Sequence, residues 1–183
     1  KILSKFADEE ADIMIGTQMI VKGHDFPNVT LVGVLAADMS LYSDDYRSGE
    51  RTFQLLTQAA GRAGRGRRPG EVVIQTYSPE HYSIQMAARQ DYEGFYEKEM
   101  NYRDLMGYPP ASQLMAVLMT GADEVRLATA AEYLKKYAVR VNTGEEIQVI
   151  GPASPSVGKV NDVYRKVLYL KSREYKELVW IKN

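Results

Sequence analysis

Apolar residues in the first part of the chain form two runs of the length expected for strands. A short run at residues 11–15 predicts a buried strand that ends in a Gly-Thr turn. A longer run at residues 29–37 lacks alternation, and it predicts a strand that is covered on both faces in a parallel sheet. Asp38 follows at the end of that predicted strand.

The next region predicts a helix followed by another strand. Phe53, Leu56 and Ala60 recur at three- and four-residue steps, which is the spacing of one helix face. Ser48 is the expected N-terminal cap of this helix. Residues 71–77 read as the following strand, and strands that alternate with helices are typical of an α/β sheet.

The second part of the chain predicts a separate small domain. Residues 79–105 have a helical pattern, and Tyr108-Pro109-Pro110 ends it because a residue before proline avoids helical geometry. The later segments predict strand, helix, strand, strand and helix at 112–120, 123–141, 147–150, 160–171 and 172–181. This order is most of a ferredoxin-like split motif, which normally ends with one more strand, so we expect an incomplete α+β domain.

Composition narrows the class of protein. A chain of 183 residues with 45% apolar residues suits one or two compact domains. The formal net charge of −1 argues against a protein whose whole surface binds nucleic acid. The chain has no cysteine, no apolar run near the roughly 20 residues that span a membrane, and no secretory signal pattern. We therefore expect a soluble, cytoplasmic protein.

The segment from Gln54 to Arg65 carries the most specific chemistry. It places Arg62 and Arg65 three residues apart at the end of the predicted helix, with glycines at 61, 64 and 66. Guanidinium groups are permanently charged and match phosphate oxygens, and glycine lets a ligand or another domain approach the backbone closely. The pattern indicates a phosphate-handling site, whereas the structural alternative is an exposed basic helix end that is favoured by the helix dipole.

Two motifs resemble those of superfamily 2 helicases. Gly16-Thr17-Gln18 followed by Lys22-Gly23-His24-Asp25-Phe26-Pro27 is similar to motif V, and residues 58–65 are similar to motif VI. Within the superfamily the sequences of these two motifs are most similar to those of the PriA-type primosomal replication-restart helicases, also called primosomal protein N′. The resemblance implies the second half of a RecA-like lobe, a parallel sheet with flanking helices, before the ferredoxin-like domain. The expected divisions are 1–78 for the partial lobe, 79–110 for a helical connector and 111–183 for the C-terminal domain.

The resemblance also assigns roles to residues of motifs V and VI. It implies that Arg62 and Arg65 act as catalytic arginines on the γ-phosphate of ATP, and that Gln58, Asp25 and Gly23 contact the nucleotide. A solvated helix glutamine and a turn aspartate are the structural alternatives for Gln58 and Asp25.

On the DNA side, the resemblance implies that Thr17, Gln18 and Lys22 contact the single strand. A hydroxyl, backbone N–H groups and an ammonium hold phosphate without reading bases, as a motor that passes any sequence requires. The mixed aromatic and basic residues at 164–166 and 169–171 resemble a C-terminal domain that binds branched DNA or a protein partner.

The function implied by the resemblance is the C-terminal part of an ATP-dependent 3′-to-5′ DNA helicase that restarts stalled replication forks. The chain has no Gly-x-x-x-x-Gly-Lys-Ser/Thr motif, so we expect it to be inactive alone, with ATP and Mg²⁺ bound mainly by a missing lobe. Zinc is expected in the full-length protein and outside this chain. Single-stranded and forked DNA and other primosome and replication proteins are the expected partners. The alternatives are a non-catalytic DNA- or protein-binding module and another superfamily 2 translocase of the RecG type.

Overall fold

The computed structural model describes residues 2–17, 26–65, 68–144 and 146–182. The chain divides into two compact units, one that ends at Glu99 and one that begins at Met100. The predicted three-part division stays a prediction. None of the helices in these described ranges is long and apolar enough to cross a membrane.

The first unit combines helices with a parallel pair of strands. Its elements in chain order are α1 (Ile2–Ala7), β1 (Leu31–Val34), one turn of 3₁₀ helix (Ala37–Ser40), α2 (Ser48–Ala60), β2 (Glu71–Ile74), α3 (Tyr82–Arg89) and α4 (Tyr92–Met106), the last of which continues into the second unit.

Helix α2 confirms the predicted apolar spacing. Phe53 and Leu56 are buried in the core of the unit, and the Phe53 ring stacks on Phe95 with 4.1 Å between ring centroids. The capping role predicted for Ser48 is wrong, since the helix begins at Ser48 and the preceding Arg47 makes no side-chain cap. The Asp45 carboxylate lies there instead and accepts a hydrogen bond from the Arg47 N–H at 3.0 Å, so it satisfies a backbone donor at the helix start.

Strands β1 and β2 pair in parallel, from Leu31 opposite Glu71 to Val34 opposite Ile74. β1 is shorter than the predicted strand because Ala36 adopts a left-handed backbone with φ of 50° and turns the chain into the 3₁₀ helix. Exposed and half-buried positions alternate along both strands. The prediction that both faces of this strand are buried is therefore wrong within the described residues. Those residues pack against only one face of the β1-β2 sheet.

The strand predicted at residues 11–15 is also absent from the described residues. This segment has neither helix nor strand, and Ile13 and Ile15 are 79% and 90% exposed. An isolated strand has no ladder hydrogen bonds and no covered face, so an apolar run without a pairing neighbour does not become a strand.

The second unit is an antiparallel sheet with two helices after the end of α4. Its elements are β3 (Gln113–Gly121), α5 (Glu124–Val141), β4 (Gln148–Ala153), β5 (Lys159–Val160), β6 (Val163–Ser172) and α6 (Tyr175–Lys182). The sheet order is β3-β6-β4, with β6 antiparallel to both neighbours. Its core contains Ala138, Ile147, Leu168, Leu170 and Leu178.

The single strand predicted at 160–171 is in fact a hairpin. β5 turns into β6 through Asn161 and Asp162, whose φ values are 48° and 61°. Asparagine and aspartate tolerate this left-handed geometry, and two such residues make the turn that joins tightly paired antiparallel strands. By contrast, the predicted helix start at Asp123 is confirmed, since its carboxylate accepts the Arg126 N–H at 3.0 Å.

Candidate functional site: the arginine turn

Residues 61–65, here called the arginine turn, continue the chain directly from the end of α2. Backbone hydrogen bonds from Arg62 to Ala59 (3.0 Å) and from Ala63 to Ala60 (3.2 Å) tighten the last turn of the helix. The Arg65 Nε donates to the Gly61 carbonyl oxygen at 2.7 Å. Helix ends leave carbonyl groups without helical partners and carry partial negative charge, so guanidinium groups are stabilised at this position.

The two arginines differ in exposure. The Arg62 side chain is half-buried, whereas Arg65 is exposed. Gln58 lies one helical turn before Arg62 on α2 and is exposed. Gln58, Arg62 and Arg65 thus lie at the C-terminal end of α2, and their predicted roles toward the nucleotide stay predictions.

A close approach between two glycines fixes the arginine turn on the first unit. Gly64 has φ of 71° and its N–H donates to the Val29 carbonyl oxygen at 3.0 Å. A Cβ on Gly70 would lie 2.2 Å from the Gly64 nitrogen, which no side chain can accept. Because Glu71 N–H also bonds to the Thr30 carbonyl at 2.8 Å, the arginine turn is held at the amino ends of β1 and β2.

The sequence interpretation of the glycines at 61, 64 and 66, as positions where a ligand or another domain approaches the backbone, does not include this packing role. Gly61 leaves ordinary space, since a Cβ there would meet its nearest atom at 3.5 Å. Gly64 and Gly70 are required by backbone contact within the unit. The spacing Gly-x₅-Gly across a predicted loop was the available signal.

The residues predicted in motif V are placed only in part. Thr17 is exposed at the end of a segment without helix or strand. Gln18, Lys22, Gly23 and Asp25 lie outside the described residues, so their predicted contacts with DNA or nucleotide stay predictions. No contact of the motif V residues between Thr17 and Phe26 can therefore be described for the site.

Asp38 has a structural role at the opposite, carboxyl ends of the strands. Its buried carboxylate accepts hydrogen bonds from the Thr76 hydroxyl, from the Tyr77 N–H at 2.8 Å and from the Ser78 N–H at 3.1 Å. The bond from Thr76 is the first cause, and those from Tyr77 and Ser78 add to it, in lowering the pKa of Asp38 below its ordinary value of 3.8. The carboxylate thereby ties the end of β1 to the chain that follows β2.

We expect Asp38→Asn to destabilise the chain at neutral pH and to change its pH dependence. A carboxyl whose pKa is lowered by folding stabilises the folded state above the pKa of the unfolded chain, and that contribution is lost as the pH falls through the folded pKa. Urea unfolding should therefore give a gap in unfolding free energy between wild type and variant that narrows from about pH 5 to about pH 2. A gap that stays constant over this range would contradict the assignment. Asp12→Asn, at an exposed aspartate of the same unit, is the matched control.

A basic residue that the sequence offered for DNA contact in the second unit is buried. Lys171 on β6 is 8% exposed, its Nζ donates to the Met106 carbonyl oxygen at 2.7 Å, and it lies 3.8 Å from the centre of the Tyr108 ring. Burial lowers the pKa of Lys171. Lys166 bonds to the Ser154 hydroxyl at 2.9 Å. The β6 strand therefore does not present Lys171 to a nucleic acid.

Metal-binding side chains do not cluster in the described parts of the chain. No group of three or more histidine, cysteine, aspartate or glutamate residues there is arranged to hold a metal ion. The buried Asp38 carboxylate already accepts three protein hydrogen bonds.

Two protein families match the chain, one in each part. The family described as Helicase conserved C-terminal domain matches residues 1–67, and the Primosomal protein N C-terminal domain matches residues 104–180. The arginine turn lies within the first match, and β3, α5, β4, β5 and β6 lie within the second.

Curated relatives resemble nearly the whole chain. The protein from Bacillus subtilis (strain 168) named Replication restart protein PriA is 46% identical over 178 residues, which are 97% of this chain and 22% of the relative. Relatives of the same name from Synechocystis and Rickettsia felis are 40% and 36% identical over 93% and 96% of this chain, and over 20% and 26% of their own lengths. The chain thus spans about a fifth to a quarter of these relatives.

Proposed function

Because this chain belongs to the family of replication restart proteins named PriA, we propose that it is the C-terminal part of an ATP-dependent 3′-to-5′ DNA helicase that restarts stalled replication forks. The observation that carries the proposal is the arginine turn, which holds Arg62 and the exposed Arg65 on a rigid backbone inside the region of helicase similarity.

The arginine turn supplies positive charge to a phosphoryl group that another part of the protein binds. Charge develops on the phosphoryl oxygens during transfer, and a guanidinium placed against them is worth roughly 10³ to 10⁵ in rate in other nucleotide hydrolases. Gln58 orients the same phosphate, and Asp25 and Gly23 contact the nucleotide. Because backbone contacts at Gly64 and Gly70 hold the turn in place, the backbone that carries the arginines keeps its position while ATP binds.

In the full-length protein, ATP would lie in a cleft between this lobe and the further lobe. Motif V would transmit closure of that cleft to DNA. Thr17, Gln18 and Lys22 hold the backbone of the single strand through a hydroxyl, an amide and an ammonium group, none of which selects a base. Alternate opening and closing with each ATP then moves the strand past the protein.

The remaining features of the proposal concern parts outside the arginine turn. ATP and Mg²⁺ are bound mainly by a further lobe of the full-length protein, and zinc is bound in another segment. The partners are forked and single-stranded DNA and other primosome proteins in the cytoplasm. We also infer a ferredoxin-like domain for the second unit, which is supported by the position of β6 between the parallel strands β3 and β4.

The proposal is tested by comparing this chain with the full-length protein that contains it. We expect DNA-stimulated ATP hydrolysis and unwinding of a forked substrate by the full-length protein, and neither by the 183 residues alone. Circular dichroism of the short chain provides the control for folding. Hydrolysis by the short chain would contradict its inactivity, and a full-length protein that binds forks without hydrolysing ATP would favour a non-catalytic binding module.

A further inference from the structure

Thr52 is a completely buried polar residue in the first half of α2. It is 0% exposed, whereas threonine is mostly a surface residue in proteins. Its hydroxyl donates to the Ser48 carbonyl oxygen at 2.8 Å and lies 2.7 Å from the Ser40 hydroxyl. Because a hydroxyl has one proton, Ser40 donates the bond between the two hydroxyls. Thr52 therefore joins α2 to the 3₁₀ helix that contains Ser40.

The 3₁₀ helix is fixed at the carboxyl ends of the strands. The Asp38 carboxylate ties it to the chain that follows β2, and the Ala37 N–H donates to the Gln75 carbonyl oxygen at 3.1 Å. Helix α2 is thus attached at both ends of the β1-β2 sheet. Thr52 makes the attachment at the carboxyl ends of the strands, and the arginine turn makes the attachment at the amino ends.

The direction of α2 decides where the arginine turn lies. A threonine hydroxyl that bonds to the carbonyl group one turn earlier often bends a helix. The arginine turn begins at Gly61, which is about 14 Å along the helix from Thr52 at 1.5 Å per residue. A change of about 4° in the direction of α2 would therefore move the turn by about 1 Å. A displacement of that size at a catalytic group costs about 10²-fold in rate.

We propose that Thr52 is a positioning residue for the arginine turn, and that its hydroxyl, held by Ser40, sets the direction of α2. The inference rests on the proposed function for the reaction that the turn serves. Valine would fill nearly the same space without a buried hydroxyl that needs partners, so packing alone does not account for the pair of hydroxyls. Apolar contact is non-directional, whereas a hydrogen bond fixes the orientation of the two groups that it joins.

Hydrogen exchange of backbone amides in the 183-residue chain tests the position of the turn without ATP. The reporter is the Gly64 N–H, which bonds to the Val29 carbonyl oxygen, and the reference is the Ile84 N–H in α3 of the same unit. Thr52→Val should raise the exchange rate of Gly64 relative to that of Ile84 about tenfold, the factor that corresponds to one hydrogen bond. Ser40→Ala should have the same effect, and the double variant should add little to either single one.

Two further variants separate the hydroxyl of Thr52 from its shape and from helical hydroxyls in general. Thr52→Ser keeps the hydroxyl and should restore the wild-type ratio of exchange rates. Thr129→Val is the matched control, because Thr129 on α5 makes the same kind of bond, to the Val125 carbonyl oxygen at 2.9 Å, in the second unit. It should leave the ratio unchanged.

Steady-state ATP hydrolysis by the full-length protein with saturating forked DNA provides the second readout. Thr52→Val should lower kcat by about 10-fold to 10²-fold, because it displaces groups that act in the transition state. The KM for ATP should stay within about twofold of wild type. Thr52→Ser should recover most of the kcat.

Equal acceleration of the Gly64 and Ile84 amides in Thr52→Val would overturn the inference, because it would show a general loss of stability. An unchanged Gly64 amide would overturn it as well, and so would a Thr52→Ser variant as impaired as Thr52→Val. Unchanged kcat of Thr52→Val in an active full-length protein would also refute the positioning role. A wild-type full-length protein that hydrolyses no ATP would contradict the proposed function alone, and the exchange rates would still decide whether Thr52 positions the turn.

Discussion

Arg65→Ala in the full-length protein is expected to lower the kcat of DNA-stimulated ATP hydrolysis by about 10³-fold, and Arg62→Ala by a comparable factor. A factor of 10³ corresponds to about 4 kcal/mol of lost transition-state stabilisation. The affinity for ATP itself should change far less, because a guanidinium that meets developing charge contributes more to the transition state than to the ground state. Steady-state hydrolysis with saturating forked DNA and a separate ATP-binding measurement check the two parts.

Arg68→Ala is the matched control for these variants, since it removes an exposed arginine just after the arginine turn. Its kcat should stay within a few-fold of wild type. Thermal melting of each variant shows whether the half-buried Arg62 also supports the fold. Unchanged turnover in both Arg62→Ala and Arg65→Ala would refute the catalytic role of the turn.

Gly70→Ala is expected to have the second large effect, although it leaves every predicted functional side chain in place. The new Cβ would lie 2.2 Å from the Gly64 nitrogen and 2.4 Å from the Ala63 carbonyl carbon, both backbone atoms. The arginine turn must therefore move, which should reduce the free energy of unfolding by about 1–3 kcal/mol. A displacement of about 1 Å at a catalytic group also costs about 10²-fold in kcat.

Gly61→Ala is the control for the steric argument, because a Cβ at this position meets its nearest atom at 3.5 Å and the φ of −65° is one that alanine adopts without strain. Urea unfolding should give nearly the wild-type free energy for this variant. If Gly70→Ala were as stable as Gly61→Ala, the close approach that positions the arginine turn would be contradicted.

Local chemistry made several elements predictable from the sequence. Apolar steps of three and four residues predicted α2, and the helical segment predicted at 123–141 matches α5 with its N-cap at Asp123. In each case the determining interaction lies within one helix or between it and the core. The spacing of residues along the chain was therefore enough to predict these two helices.

Elements that depend on distant partners were predicted less well. The apolar run at 11–15 has the composition of a strand, yet a strand needs a neighbour to pair with. The end of β1 is set by the left-handed geometry of Ala36, which nothing in its residue type indicates. The hairpin turn at Asn161-Asp162 was missed in the predicted strand at 160–171, although both residue types favour its left-handed geometry.

The candidate site shows the same division. The arginine turn was identified from the spacing of Arg62 and Arg65 and from the similarity of residues 58–65 to motif VI. The requirement for Gly64 and Gly70 was hidden, because it arises where the turn crosses the start of β2.

The central claim is that the arginine turn stabilises the transition state of phosphoryl transfer, and binding of a transition-state analogue tests it most directly. The measurement is the Kd of ADP with aluminium fluoride, compared with that of ADP alone, for the wild-type full-length protein and for Arg65→Ala in the presence of forked DNA. We predict that Arg65→Ala weakens binding of the analogue by about the factor lost in kcat while the Kd of ADP stays nearly unchanged. Equal weakening for both ligands, or none for the analogue, would contradict the account.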